Sequence, residues 1–280
     1  MPKLNAFQLK WIAIIGMILN HMVLAWWDII PTWLAVPMYA AGGLTFPIMA
    51  YFVVEGYRHT SNLGKYIGRL ALFGLIALPF HALTFGAVML NILFTIVISL
   101  FCLWLYDKMA KVRPLFWIAF VIICFLTVWP VMFDWLIIGP IVVMMTHVIK
   151  HEKRRRTLPA ILAGIFFFVT TALGTLGAWM LNNMPEDADA VMLVDIPAID
   201  TSDIVLMAVS CTFVIGCIAA ALLLRNFNGD RGKRMKWAFY IVYPVHLAVI
   251  GLVAWLAIGS TSPAIVWENT LALRALLGLG

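Results

Sequence analysis

Charged side chains are scarce: they make up 11% of the 280 residues, against 64% hydrophobic ones. That ratio lies far outside the range of soluble globular chains and excludes a soluble domain large enough to fold alone. Cysteine is scarce too, and its four copies (Cys102, Cys124, Cys211, Cys217) all fall inside apolar runs without CxxC spacing. Buried thiols of this kind behave as small hydrophobes, so they argue for neither a disulfide framework nor a metal site. No small-residue cleavage site follows the first apolar run, and Asn20-His21 interrupts its middle. An uncleaved first helix is therefore expected in place of a signal peptide. No internal repeat or low-complexity tract stands out.

What the chain has is a succession of apolar stretches long enough to cross ~30 Å of hydrocarbon. They are Leu9–Trp27, Trp33–Val54, Arg69–Val88, Asn91–Tyr106, Leu115–Phe133, Trp135–Ile149, Leu158–Leu181, Ile204–Leu224 and Trp237–Ile258. An open strand edge has no partner in lipid, so all nine read as helices. The expected fold is all-α: one polytopic integral membrane bundle of about nine transmembrane helices, spanning 1–280 as a single domain. With the N-terminus inside, 18 of the 19 basic residues fall in the inner segments, and only Arg274 falls outside. The positive-inside rule thus predicts an N-in, C-out topology. Segment 182–203 is then a long acidic outer loop, and the polar tail 259–280 lies at the outer interface.

Ionisable side chains within membrane spans point to function. His21 lies 11 residues past Lys10, His81 lies 12 past Arg69, and His246 lies 10 past Lys236. At 1.5 Å per residue all three imidazoles sit roughly 15–18 Å from the inner face. Imidazole is the side chain best suited to moving protons near neutral pH. One such histidine is ordinarily interhelical glue, but three at one depth favour a functional role, first for His21 beside Asn20 and then for His246. Pro244 kinks the helix of His246, and Tyr243 adds a hydroxyl one turn away. His81, just after Pro79, is the weakest of the three.

The polar turn FPIMAYFVVEGYRHTSNLGKYIGR at 46–69 forms the expected mouth of the site. Glu55 either pairs with Arg58 or serves as partner to a histidine or an incoming amine or hydroxyl. Arg58, Lys65 and Arg69 are the preferred contacts for phosphates of a cytosolic cofactor, ahead of the basic run 150–156, which suits topology and anionic lipid. Asn91, one turn before Thr95, either bonds across helices or lines an outer acceptor path.

Asn20-His21, FPIMAYFVVEGYRHTSN at 46–62, KYIGRL at 65–70, NILFT at 91–95 and FYIVYPVHLAVIG at 239–251 together resemble the TraX family in order and spacing. The middle, about 107–236, resembles it only in being apolar. The resemblance implies an inner-membrane acyltransferase that takes acetyl from acetyl-CoA, with no metal, and passes it to the N-terminal amine of a pilin or other exported peptide. It places His21 and His246 at the family's histidines, Arg58-His59-Thr60 and Arg69 in its polar turn, and Asn91 at the start of its fourth helix. Where many members carry Asp before the first histidine, this chain has Asn20, so a carboxylate orienting the imidazole is missing unless Glu55 takes that part. The expected set is therefore Asn20, His21, Glu55 and His246 for catalysis, with Arg58, His59, Lys65 and Arg69 on the cofactor. Asn91 and Tyr243 line the substrate path. In this scheme His21 acts as general base or acyl carrier. O-acetylation of a surface glycan, a proton-coupled transporter and a bis-histidine haem protein are the other readings.

Overall fold

The computed structural model describes residues 3–27, 29–85, 89–129, 132–183, 201–233 and 236–258. Most of the acidic segment 182–203, and all of the tail from 259 with Arg274, lie outside the described residues. The described chain folds into eleven helices: α1 (Ala6–Ala25), α2 (Thr32–Gly42), α3 (Thr45–His59), α4 (Leu63–Phe85), α5 (Ile92–Lys108), α6 (Arg113–Leu126), α7 (Ile138–Val148), α8 (Glu152–Asn182), α9 (Thr201–Ser210), α10 (Phe213–Arg225) and α11 (Lys236–Ile258). Every apolar stretch of the sequence becomes helix, but two of the nine break near their middles, at Gly43-Leu44 and at Cys211-Thr212.

Against the expected nine or so spans, six helices among the described residues are long and apolar enough to cross a membrane, counting α2–α3 and the 204–225 part of α9–α10 as one helix each. Helices α5, α6 and α7 have 17, 14 and 11 residues, short of the ~20 that 30 Å of hydrocarbon requires. Their shortness has a visible cause. Asn91, the N-cap of α5, accepts from the Leu93 N–H at 3.1 Å and donates to the carbonyl of Gly74 at 2.9 Å. Gly74 lies eleven residues before the end of α4, about 16 Å down its axis. The start of α5 therefore sits level with the middle of α4, inside the bundle. The turn after α6 meets it there: Leu90 N–H bonds to the Met132 carbonyl at 2.8 Å, and Asp134 N–H to the Leu90 carbonyl at 2.7 Å. Irregular backbone at membrane depth survives only where protein or a polar cavity surrounds it.

A close backbone approach holds the two broken spans together. A Cβ on Gly216 would stand 1.9 Å from the Ala40 carbonyl oxygen, and one on Gly43 would stand 2.1 Å from that of Phe213. Small residues at such crossings let helices pack without side chains between them. The outer faces are apolar, as on α6, where Ile118, Val121, Ile122 and Phe125 are exposed.

The five basic segments meet at one end. Ala6 N–H bonds to the Asp230 carbonyl at 2.8 Å, Arg156 to the Phe227 carbonyl at 2.8 Å, Arg58 to the His147 carbonyl at 2.9 Å, and Tyr57 to Asp107 at 2.6 Å. The alternation read from basic residues therefore has a geometric counterpart, called below the basic end.

Candidate active site

Two of the histidines touch. His21 Nδ1 and His246 Nε2 lie 2.8 Å apart, and His246 Nδ1 lies 2.9 Å from the Val242 carbonyl oxygen. A carbonyl only accepts, so His246 carries its proton on Nδ1 and, as a neutral ring, presents a lone pair on Nε2. His21 Nδ1–H donates to that lone pair, which leaves His21 Nε2 as the free basic atom; the tautomers follow from this network. The relay runs from Val242 through His246 to His21. Pro244 bears on it, since its ring removes one helical hydrogen bond within the turn that carries His246. As whole residues, His246 is buried and His21 is of intermediate exposure.

His81 is buried beside them, with the Phe85 ring packed edge-on against both His81 (4.8 Å) and His21 (5.1 Å). Its Nδ1 has no hydrogen-bond partner. Tyr243 stacks edge-on with His246 at 5.4 Å, and its buried hydroxyl is also without a partner. Asn20 faces away from the pair: its side chain fills the space over Gly42 and lies against the Tyr39 hydroxyl, which also approaches Ser210. Asn20 thus seats α1 on α2 and fixes the height of His21.

Asp134, which is not among the expected site residues, lies near this layer. Asp134 is within electrostatic range of both Tyr39 and Tyr243, and no described Lys, Arg or His lies within ion-pairing distance of it. It sits at the head of a strained turn, in which Trp135 (φ 64°) and Leu136 (φ 35°) both take the left-handed region. Non-glycine residues adopt that region at a cost of roughly 1–2 kcal/mol each. The turn presses Trp135 onto Phe46, with centroids 4.0 Å apart, and against Phe167 at 4.6 Å.

A family model described as TraX protein matches residues 6–254. The chain belongs to the TraX family. The match includes the middle of the chain, where the sequence motifs had shown only apolar character. A curated relative, "Probable fimbrial assembly protein FimC, serogroup H1" from Dichelobacter nodosus, is 30% identical over 263 residues, covering 88% of this chain and 94% of the relative. No solved structure matches significantly.

In this TraX-family chain Glu55 does not reach the histidines. His21 is level with Gly42, whose neighbour in contact is Asn20, and Glu55 is thirteen residues further along, roughly 20 Å at 1.5 Å per residue. Glu55 instead binds Arg155 at 2.8 Å and lies 3.9 Å from Arg58. The partner that orients His21 is another histidine. Arg58 and His59 are exposed at the basic end, and His59 Nδ1 caps the Glu55 carbonyl at 2.8 Å. Lys65 is exposed in the first turn of α4, and the partly buried Arg69 keeps its Nε unpaired. Asn91 is fully buried and spends its amide on the α5 cap and on Gly74, so it holds the start of α5 against α4.

Asp134 and Arg155 escaped the sequence reading for different reasons. Asp134 is the single acidic residue between Asp107 and Glu152, a signal that a boundary between two apolar runs concealed. Arg155 looks like its neighbours Arg154 and Arg156; only the fold shows it 6% exposed, bonded to Glu55, Glu152 and Tyr51.

Proposed function

We propose that this protein is a membrane acyltransferase of the bacterial inner membrane that moves acetyl from acetyl-CoA to an acceptor amine, with His21 Nε2 as general base. The observation that carries the reading is the His21–His246 contact with its Val242 anchor. A base held in one tautomer by an orienting acceptor is the arrangement general-base catalysis needs. His246 takes the part that a carboxylate plays elsewhere, as acceptor for the Nδ1 proton and stabiliser of the imidazolium.

The step balances within this set. The neutral amine nitrogen attacks the thioester carbonyl, its proton passes to His21 Nε2, the C–S bond breaks, and the same proton goes to the leaving sulfur. The products are an N-acetyl amide and free CoA thiol. The donor enters at the basic end, where the exposed Arg58 and Lys65 and the unpaired Nε of Arg69 offer phosphate contacts. From Arg69 to His81 is twelve residues, about 18 Å along α4, the depth that the pantetheine arm has to span. That the relative carries a fimbrial assembly name supports a pilin-like peptide as acceptor.

The test is release of label from acetyl-labelled CoA by the purified protein, with and without an amine acceptor. His21→Ala is expected to lower turnover about 10²–10⁴-fold while leaving CoA affinity near wild type. Turnover unchanged in His21→Ala removes His21 from the chemistry. The two broken spans favour one other reading, a proton-coupled carrier, because interrupted helices line transport sites. Substrate uptake into vesicles without any CoA requirement would select it.

A further inference from the structure

A cavity of about 360 Å³ lies beside the histidine layer, lined by Tyr39, Phe167, Thr170, Gly174, Ser210 and Phe213 among others. Three aromatic rings form one wall: Phe167 and Phe213 have centroids 5.1 Å apart, and Tyr39 meets Phe213 at 6.0 Å. Trp135 backs that wall through contacts with Phe167 and Phe213 at 4.6 and 5.8 Å. The hydroxyls of Thr170 and Thr171 bond to carbonyls of their own helix, and so does that of Ser210. The hydroxyls of the threonines and the serine are thus satisfied, and aromatic rings make up much of the remaining lining.

Two features give this space a sign of charge and a direction. Asp134 immediately precedes Trp135, which backs the wall, lies within electrostatic range of Tyr39 and has no described cation to pair with. A carboxylate at membrane depth is costly until a counter-charge joins it. Aromatic faces attract the same kind of ligand, because their quadrupole is negative at the ring centre. The rim residues Thr170 and Gly174 are exposed, and Val169, Leu173 and Leu176 beside them present apolar side chains outward. An occupant therefore enters sideways from an apolar medium. At the inner wall the Tyr39 hydroxyl lies against Asn20, the residue before His21.

We infer that this cavity is the acceptor site, and that it receives the N-terminal ammonium of an apolar, membrane-borne peptide between the Tyr39, Phe167 and Phe213 rings, with Asp134 as counter-charge. The inference rests on the acyltransferase reading for the word acceptor, but the binding site itself is tested without any transfer. Held there as an ammonium, the amine passes one proton to the Asp134 carboxylate before it moves past Asn20 to the thioester. Only the neutral amine attacks.

The experiment uses the full-length protein in lipid nanodiscs and a fluorescent apolar peptide with a free N-terminus, alongside its N-acetylated twin. The free peptide is expected to bind about tenfold tighter than the twin, the size of a desolvated cation–π contact with a counter-ion. Equal affinity for the two, or no binding of either, overturns the proposal. Gly174→Trp is the blocking variant. A Cβ at Gly174 meets nothing within 4 Å, so a large side chain grows into the cavity without backbone clash. Gly177 is equally open but does not line the cavity, so Gly177→Trp is its control. Loss of peptide binding in the first and retention in the second supports the site; equal behaviour of the two overturns it. In Asp134→Asn, the preference for the free peptide over the twin is expected to disappear, and its persistence removes Asp134 from recognition. Hydrolysis of acetyl-CoA with water as acceptor separates the failures. If hydrolysis needs His21 while the peptide results fail, the cavity proposal falls alone; if peptide binds but no CoA is consumed, the transferase reading falls and the cavity stands as a peptide site.

Discussion

The basic end and the histidine layer are both polar regions in an apolar molecule, and they differ in how their polar groups are paired. At the basic end the carboxylates are paired with cations or a histidine, while Arg69 Nε and His147 Nδ1 keep no partner. Arg155 bonds to Glu55, Glu152 and Tyr51, Arg156 holds the other oxygen of Glu152, and His147 bridges to Asp107 at 3.2 Å. Some 15–20 Å deeper, Asn20, His81 and Tyr243 all keep buried polar atoms without partners, and Asp134 lacks a cation. Buried polar groups are ordinarily satisfied, so a cluster of exceptions marks a place kept ready for a ligand or for chemistry. The ion-paired end holds the bundle together. The unsatisfied layer bears a cost in stability, as functional sites commonly do.

That contrast fails if removing partners at the basic end turns out to be cheap. Arg155→Met leaves Glu55 and Glu152 facing each other. For a fully buried pair, loss of one partner costs about 3–5 kcal/mol. Here Glu55 and Glu152 are 26% and 46% exposed and keep Arg58 and Arg156 nearby, so about 2 kcal/mol is expected after discounting for solvent. Thermal unfolding in detergent measures it. Adding Glu55→Gln to Arg155→Met is expected to recover a good part of the loss, because one stranded charge is gone. A double variant as unstable as the single one would show that Arg155 contributes packing and little else.

Tyr243→Phe probes the other side of the comparison. The ring is 4% exposed and its hydroxyl unpartnered; the first N–H of α5, that of Ile92, lies near without making a proper bond. An unsatisfied buried polar atom costs about 1–3 kcal/mol, so removing the oxygen is expected to stabilise the fold by roughly 1 kcal/mol, the low end of that range. A lowered melting temperature in Tyr243→Phe would mean that the hydroxyl is satisfied after all and that this layer is less open than it looks.

Much of this was legible in the sequence, and the rest was not for physical reasons. Residue counting along straight helices brought His21 and His246 to one depth, because rise per residue is nearly invariant. It carried no information about azimuth, so that Asn20 would turn toward Tyr39 was invisible. The basic residues marked one end of the bundle, since charge placement follows insertion and does not need the fold. The breaks at Gly43 and Thr212 were hidden because apolar composition continues across them. The role given to Glu55 was lost to simple length: a carboxylate that ends one helix cannot reach a histidine level with the start of that span. Asp134 was overlooked because a lone acid between two apolar runs reads as an ordinary loop residue until the turn is seen to re-enter the bundle.

The smallest effect tests whether the deep layer is held under strain as well as short of partners. Leu136 has φ 35° and Trp135 φ 64°. A glycine at 136 relieves roughly 1–2 kcal/mol of left-handed strain, but it forfeits a half-buried apolar side chain and gains freedom in the unfolded chain. Those terms nearly cancel, so Leu136→Gly is expected within about 1 kcal/mol of wild type. Leu136→Val keeps most of the apolar surface, yet β-branching makes the left-handed region still less favourable. Packing alone therefore ranks valine above glycine, while backbone strain ranks glycine above valine. Thermal unfolding of the two variants side by side decides between the rankings. A more stable valine variant would mean that the Asp134 turn is relaxed, and that its position beside Tyr39 is set by the surrounding rings and not held against a conformational cost.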